Sequence, residues 1–110
     1  MLKFMLRVSE IAGRFGLSRT TILYYETCGL LKPALRTGAG YRHYGEKEVR
    51  VLGQICLYRS VGLSVASIRA MFANPETEVA ALLGRRLQEL DCEIHRLRDH
   101  QRLILRLLQS

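Results

Sequence analysis

The feature that most constrains the fold is a heptad repeat of apolar residues in the last third of the chain. The repeat alternates spacings of three and four residues, and its positions are Ala80, Leu83, Leu87, Leu90, Ile94, Leu97, Gln101, Ile104 and Leu108. Gln101 is the one polar residue among them. This spacing predicts a helix with an apolar stripe along one side, roughly 50 Å long at about 1.5 Å per residue.

A helix with such a stripe is stable in water only when another surface covers the stripe. The helix could fold back on its own domain, but it is longer than a domain of about 75 residues is wide. Further leucines, such as Leu82 and Leu103, add apolar surface outside the stripe. We therefore predict a coiled-coil homodimer with these dimerisation residues: Leu83, Leu87, Leu90, Ile94, Leu97, Ile104 and Leu108.

The whole chain of 110 residues has a formal net charge of +7, and the excess of positive charge lies outside the heptad repeat. Residues 1–75 contain 11 Lys and Arg against 4 Asp and Glu, which accounts for all of the excess, whereas residues 76–110 contain 6 of each kind. Asn74-Pro75 also ends a predicted helix. This asymmetry predicts a nucleic-acid-binding domain over residues 1–75 and a dimerisation helix over residues 76–110.

The cysteines and the apolar segments indicate the compartment. Cys28, Cys56 and Cys92 are far apart and odd in number, so a disulfide framework is not expected and a reducing cytoplasm fits best. The apolar N-terminal stretch is too short for a secretory signal, and no segment approaches the length of a membrane span. We predict a cytoplasmic protein without a membrane partner.

Two short helices are predicted near the N-terminus. Ser9 is placed to cap a helix over residues 10–15, and Gly16 is placed to end it. Ser18 is placed to cap a second helix over residues 19–28. Two short helices joined by a tight turn that contains glycine are typical of a helix-turn-helix.

The second helix contains two adjacent tyrosines, and helical geometry sends them to different sides. Side chains three and four residues apart share a face, so Tyr25 lies with Ile22 on the side that packs inward. Tyr24 lies on the other side with Thr20, and Arg19 stands at the leading end of the helix. The two tyrosines are therefore predicted to have different roles.

The segment LKPALRTGAGYRHYG follows, and its glycines and tyrosines predict a small hairpin with the basic residues Arg36, Arg42 and His43. A basic hairpin beside a helix-turn-helix is a wing. Two more helices are predicted over residues 46–61 and 65–73, the second capped by Ser64. The predicted fold class is mainly α, a winged helix-turn-helix domain with a small β wing followed by a long helix.

These motifs resemble the MerR family of bacterial transcriptional regulators. The resemblance covers residues 7–73 and rests on VSEIAGRFGLS, TTILYYETCGLLKP, GYRHYGEKEV and LYRSVGLSVASIRAMF. It implies an antiparallel coiled-coil homodimer that binds a palindromic operator in double-stranded promoter DNA, usually within an overlong spacer. Activators of this family bend and untwist that DNA. RNA polymerase is thus an implied partner, acting indirectly through the promoter.

The resemblance also implies a role for individual residues. The second helix would be the recognition helix, with its leading residues at base edges in the major groove and its outward tyrosine on a phosphate. The wing and the third helix would hold the DNA backbone. The residues implied to bind DNA are Arg19, Thr20, Tyr24, Arg36, Tyr41, Arg42 and Arg59.

The chain departs from the family pattern in three places. Members commonly have an arginine where this chain has Leu23, which predicts a lost phosphate or base contact, although a leucine could contact a thymine methyl group instead. Members have Ser or Thr where this chain has Gly45, a weaker cap for the third helix. Most members carry a sensing segment beyond the coiled coil, and because the given sequence ends at Ser110 we do not expect an effector pocket within one subunit of this length.

Other functions are considered beside DNA binding. Cys92, His95 and Asp99 would share one face of the long helix, but a solvated face explains them better than a metal site, and no cofactor is predicted. No nucleophile has a base beside it, so the chain is not predicted to be an enzyme. A protein-interaction module would not need its positive charge confined to residues 1–75. An architectural or repressor dimer that does not remodel promoters remains an alternative.

Overall fold

The structure is a computed structural model that describes residues 5–110. These residues form two compact units, the first ending at Ala73 and the second comprising Asn74–Ser110. The described elements of the first unit are α1 (Val8–Arg14), α2 (Arg19–Thr27), β1 (Leu35–Arg36), β2 (Arg42–His43), α3 (Glu46–Ser60) and α4 (Val65–Ala73). The second unit is the single helix α5 (Pro75–Gln109). The predicted fold class is confirmed.

Helix α1 begins earlier than predicted, and the prediction of Ser9 as its cap is wrong. The cap residue is Arg7, whose backbone is extended and whose N–H donates a hydrogen bond of 2.9 Å to the Glu10 carboxylate. A glutamate that reaches back in this way satisfies one of the free N–H groups of the first turn. Ser9 therefore lies inside the helix. Gly16 follows the helix in the left-handed conformation, with φ of +64°, as its predicted role requires.

Helix α2 has the predicted cap. The Ser18 hydroxyl accepts a hydrogen bond of 3.1 Å from the Thr21 N–H. The helix ends at Thr27, and Gly29 then adopts φ of +79°. In that conformation the Leu30 N–H donates a hydrogen bond of 2.9 Å to the Tyr25 carbonyl, so the chain leaves the helix with this carbonyl satisfied.

The wing is a two-stranded antiparallel sheet, in which Leu35 pairs with His43 and Arg36 pairs with Arg42. Directly after β2, Tyr44 pairs with Leu6, and the two residues exchange backbone hydrogen bonds of 2.7 and 2.8 Å. The segment before α1 and the wing are thereby joined. This pairing was not predicted, because it links residues that are far apart in the sequence.

Helices α3 and α4 are present with nearly the predicted bounds. Gly45 offers no side chain as a cap, but its N–H donates a hydrogen bond of 3.0 Å to the buried Glu48 carboxylate. The Ser64 hydroxyl caps α4 as predicted, accepting a bond of 3.0 Å from the Ser67 N–H. The largest fully buried side chains of the described residues are Tyr44, Ile11, Ile22, Leu52, Ile55, Ile68 and Met71. Removal of this apolar surface from water stabilises the first unit.

Helix α5 is a continuous helix of 35 residues that contains the whole heptad repeat. None of its residues is buried in the single chain. The predicted dimerisation residue Leu90 is partly exposed, and the others are exposed: Leu83, Leu87, Ile94, Leu97, Ile104 and Leu108. No helix within residues 5–110 is both long enough and apolar enough to cross a membrane.

Candidate nucleic-acid interface

The two tyrosines of α2 lie on different sides of the helix, as helical phase predicts. Tyr25 is buried beside Ile22, whereas the Tyr24 side chain is 52% exposed. Arg19 and Thr20 are exposed at the first turn of the same helix. The exposed side of α2 thus presents a guanidinium, a hydroxyl and a phenol, three groups that donate hydrogen bonds to bases or phosphates.

A basic depression lies where the starts of α1 and α2 meet the tip of the wing. Its volume is about 160 Å³, and its charged lining residues are Arg7, Arg19 and Arg42. The Tyr41 ring lines it as well, with the Arg7 guanidinium carbon 4.3 Å from the ring centroid. Cations over an aromatic face are attracted to it, so Arg7 and Tyr41 hold each other in place. Three guanidinium groups in one depression favour an anionic ligand.

A single carboxylate in the last turn of α2 contacts the wing. Glu26 Oε1 accepts a hydrogen bond of 2.8 Å from Arg42 Nε, and Glu26 Oε2 accepts one from the Tyr44 hydroxyl. Arg36 Nη2 lies 4.0 Å from Oε1. The Glu26 side chain is only 10% exposed. Both strands of the wing are therefore connected to the same residue of α2.

The tyrosine in this contact is fully buried. Burial is the main cause that raises the pKa of Tyr44, and the hydrogen bond to the Glu26 carboxylate raises it further. The Tyr44 hydroxyl therefore stays protonated near neutral pH and remains a donor to that carboxylate.

A second basic cluster lies at the other end of α2. A hydrogen bond with the Cys28 side chain raises the pKa of the Tyr24 hydroxyl, while the positive charges of Arg59 and Arg69 lower it. Arg69 Nε donates a hydrogen bond of 3.0 Å to the Cys28 carbonyl, and Arg59 Nη1 donates one of 3.0 Å to the Leu63 carbonyl. Two arginines of α3 and α4 are thus brought to the exposed phenol of α2.

The structure brings most of the sequence-predicted residues into two groups. Arg19, Tyr41 and Arg42 line the depression, and Tyr24 lies near Arg59 in the second cluster. Arg36 joins the first group through Glu26, since Arg42 contacts the same carboxylate oxygen. Thr20 is exposed directly after Arg19, and Leu23 is partly exposed on the same helix. The distribution of these residues follows the exposed side of α2 from one end to the other.

Four residues that form or support this surface were not predicted from the sequence. These residues are Arg7, Glu26, Tyr44 and Arg69. A signal was available for Glu26, because it is one of only four acidic residues among residues 1–75 and directly follows the two tyrosines. The other three had no such signal, because their partners are distant in the sequence.

The alternative of a metal site on the long helix gains no support. Within residues 5–110 no group of three or more Cys, His, Asp or Glu residues is placed to hold a metal ion. His95 Nδ1 lies 2.8 Å from the Asp91 carbonyl oxygen, and Asp99 Oδ1 accepts a bond of 2.7 Å from Arg102 Nη1. Two of the three candidate ligands are therefore engaged in contacts along the helix.

A winged helix-turn-helix with a basic surface is typical of DNA-binding regulators. The model of the MerR helix-turn-helix family of regulatory proteins matches residues 6–74, and a MerR DNA-binding model matches residues 49–107. The chain belongs to the MerR family of transcriptional regulators. It is a regulator of transcription and not an enzyme, as predicted.

Relatives and solved structures agree with this assignment. A probable heavy metal-dependent transcriptional regulator of Haemophilus influenzae is 38% identical in an alignment of 98 positions that covers 84% of this chain and 77% of the relative. The N-terminal part of the Bacillus subtilis multidrug transporter activator MtaN superposes with a TM-score of 0.82 at 28% identity, covering 96% of this chain and 99% of that one.

The fold is also that of HiNmlR, described as a MerR family regulator lacking the sensor domain and solved bound to promoter DNA. Its TM-score is 0.68 at 21% identity, covering 96% of this chain and 88% of that one. At this identity the likeness concerns the fold alone.

Proposed function

We propose that the protein is a homodimeric regulator that binds a palindromic operator in double-stranded promoter DNA. The observation that carries this proposal is the basic depression lined by Arg7, Arg19 and Arg42. It lies where the leading end of α2 meets the wing, the two elements that a winged helix-turn-helix places on DNA. We propose that residues 1–75 bind the DNA and that residues 76–110 hold the dimer together.

Individual residues have proposed roles on the DNA. Arg19 and Thr20 stand at the start of α2, where side chains of a recognition helix reach base edges in the major groove. The residues proposed to contact the DNA backbone are Tyr24, Arg36, Tyr41, Arg42 and Arg59, to which the structure adds Arg7 and Arg69 as candidates. Backbone contacts position the protein, and base contacts select the sequence.

The exposed heptad stripe supports a dimer. Fully burying one leucine or isoleucine stabilises a protein by roughly 1.5–3 kcal/mol, so an apolar stripe of this length left in water is unfavourable. The ion pairs of α5 are exposed, for example that of Asp99 with Arg102, and such pairs contribute only about 0–1 kcal/mol each. We propose that the apolar stripes of two α5 helices pair in an antiparallel coiled coil, and that their burial stabilises the helix.

A dimer with one basic surface per subunit suits an operator with two half-sites. We propose that binding bends and untwists the promoter spacer, so that RNA polymerase uses both promoter elements. Spending binding energy on DNA shape requires protein surfaces that keep their own shape. The link between α2 and the wing through Glu26 supports this requirement. The proposed compartment is the cytoplasm, and the three cysteines are free in the structure.

The test begins with selection of bound duplexes from a random DNA pool by the purified protein. We expect a palindromic sequence to emerge. Transcription from a promoter that carries this sequence in an overlong spacer is then measured with and without the protein. Increased transcription supports remodelling. Binding with decreased or unchanged transcription identifies a repressor or architectural dimer, and failure to enrich any sequence contradicts the proposal.

A further inference from the structure

The carboxylate that joins α2 to the wing has no evident reason to lie on a surface that binds a polyanion. Glu26 carries a negative charge at the centre of a basic cluster, with Arg42 and Arg36 around it. We propose that Glu26 is the positioning residue of the DNA-binding surface, which sets the wing relative to the recognition helix without contacting DNA. This inference rests on the proposed function.

Both oxygens of the Glu26 carboxylate accept hydrogen bonds, and the two donors are different side chains of the wing segment. Oε1 accepts from Arg42 in β2, and Oε2 accepts from Tyr44 just after that strand. Two bonds to one planar group restrain both distance and orientation, which a single contact does not. Arg36, in the opposite strand, lies 4.0 Å from the same Oε1. The carboxylate thus contacts both strands of the wing, with hydrogen bonds to Arg42 and Tyr44 on one side and the Arg36 guanidinium on the other.

The burial of the contact supports positioning and argues against a contact with DNA. Tyr44 is fully buried, so its hydroxyl contacts Glu26 and is not accessible to DNA bound at the surface. The backbone of Tyr44 also pairs with Leu6, directly before Arg7. Arg7 in turn lies over the Tyr41 ring at the wing. A chain of contacts therefore runs from Glu26 through the wing to the depression proposed to hold a phosphate.

The simpler explanation is that Glu26 only neutralises its arginine neighbours. The two explanations differ in the sign of one effect. If Glu26 only neutralises charge, its removal frees positive charge on the DNA side and strengthens binding, because affinity for a polyanion rises with cationic contacts. If Glu26 positions the wing, its removal weakens binding although the net charge of the protein rises.

The first experiment compares two variants that remove one negative charge each from the first unit. Glu26→Gln keeps the size of the side chain but loses its charge and one acceptor oxygen. Glu46→Gln, at an exposed position in the first turn of α3, is the matched control. Binding is measured on the duplex selected from the random pool. We expect Glu26→Gln to bind on the order of tenfold more weakly, and Glu46→Gln to bind as tightly as the original protein or slightly more tightly.

A second variant keeps the inference testable if Glu26→Gln does not fold, which thermal unfolding of each variant checks. Tyr44→Phe removes only a buried hydroxyl and leaves every exposed charge in place. We expect it to weaken DNA binding several-fold, on the order of 1 kcal/mol or less, at a temperature where it is folded. Unchanged affinity of folded Tyr44→Phe would overturn the inference, as would unchanged or tighter binding by folded Glu26→Gln.

A double-mutant cycle separates positioning from general destabilisation. Arg42→Ala is measured in the original protein and in Glu26→Gln. If Glu26 acts by holding Arg42, we expect the double variant to lose less than the product of the two single losses. Losses that multiply would show that the two residues act independently, against the inference. If the original protein enriches no duplex from the random pool, it is the proposed function that has failed, and the role of Glu26 is not the cause.

Discussion

At the scale of single residues, several of the arginines proposed to contact DNA are already held by the protein. Arg42 is engaged by Glu26, Arg7 lies over Tyr41, and Arg69 is bonded to the Cys28 carbonyl. A flexible side chain loses conformational freedom when it binds, and contacts that hold it beforehand reduce this loss. The arrangement therefore favours a rigid surface over a set of freely moving charges.

Arg42 is both bonded to Glu26 and proposed to contact the DNA backbone. Its side chain is 27% exposed, so part of the side chain remains accessible while Nε is bonded to Glu26. We expect Arg42→Ala to weaken binding on the order of tenfold across DNA sequences, and to lower the slope of affinity against salt by about one phosphate contact.

The measurement is DNA affinity as a function of salt concentration. The matched control is Arg50→Ala, an exposed arginine of α3 outside the proposed surface. An Arg42→Ala variant with unchanged affinity and salt slope would remove Arg42 from the backbone contacts.

Leu23 is an apolar residue on the side of α2 that we propose faces DNA, at a position where the resemblance to the family implies an arginine. It is partly exposed between Arg19 and Thr27. We expect Leu23→Arg to tighten DNA binding several-fold, because a cation is added beside the proposed contacts of the same helix. Leu23→Met, of similar size and without charge, serves as the control. No gain for the arginine variant would mean that α2 is seated on DNA in another way.

At the scale of elements, the sequence analysis succeeded where a signal is local and failed where it is not. The hydroxyl caps at Ser18 and Ser64 and the left-handed glycine at Gly16 depend on residues within a few positions, and all three predictions are confirmed. The predicted cap of α1 was wrong, because the Glu10 carboxylate accepts the Arg7 N–H and the helix begins at Val8, which leaves Ser9 inside it.

The recognition surface was predictable in part for the same reason. Helical phase is a local property, and it correctly separated Tyr24 from Tyr25. The contacts of Glu26 with Arg42 and Tyr44 join residues 16 and 18 positions apart. Contacts of this length depend on how the wing packs against α2, which residue spacing does not indicate.

Helix α5 is the element with the clearest prediction about assembly. Leu90 lies at the middle of the heptad stripe, and an aspartate there would put a charge into the proposed dimer interface. We expect Leu90→Asp to convert the dimer to monomers in sedimentation. Cys92→Asp places the same charge two residues further on, at an exposed position off the stripe, and should leave the dimer intact. A dimeric Leu90→Asp variant would contradict the coiled-coil assignment.

At the scale of the whole molecule, charge and apolar surface are divided between two units. The formal charge of +7 lies on residues 1–75, and the exposed stripe lies on residues 76–110. This division matches a protein whose first unit meets a polyanion and whose second unit meets another copy of itself. The family assignment, which comes from similarity to known regulators, and the division of charged and apolar surface both indicate a DNA-binding protein.

Two chains are proposed to bind one palindrome, and the stoichiometry of the protein–DNA complex reports on this directly. The selected duplex is titrated with the protein in a sedimentation experiment, beside a duplex with one half-site scrambled. We predict two chains per intact duplex and markedly weaker binding to the scrambled one, because one of the two basic surfaces then has no matching half-site. One chain per duplex, or equal affinity for both duplexes, would contradict the account.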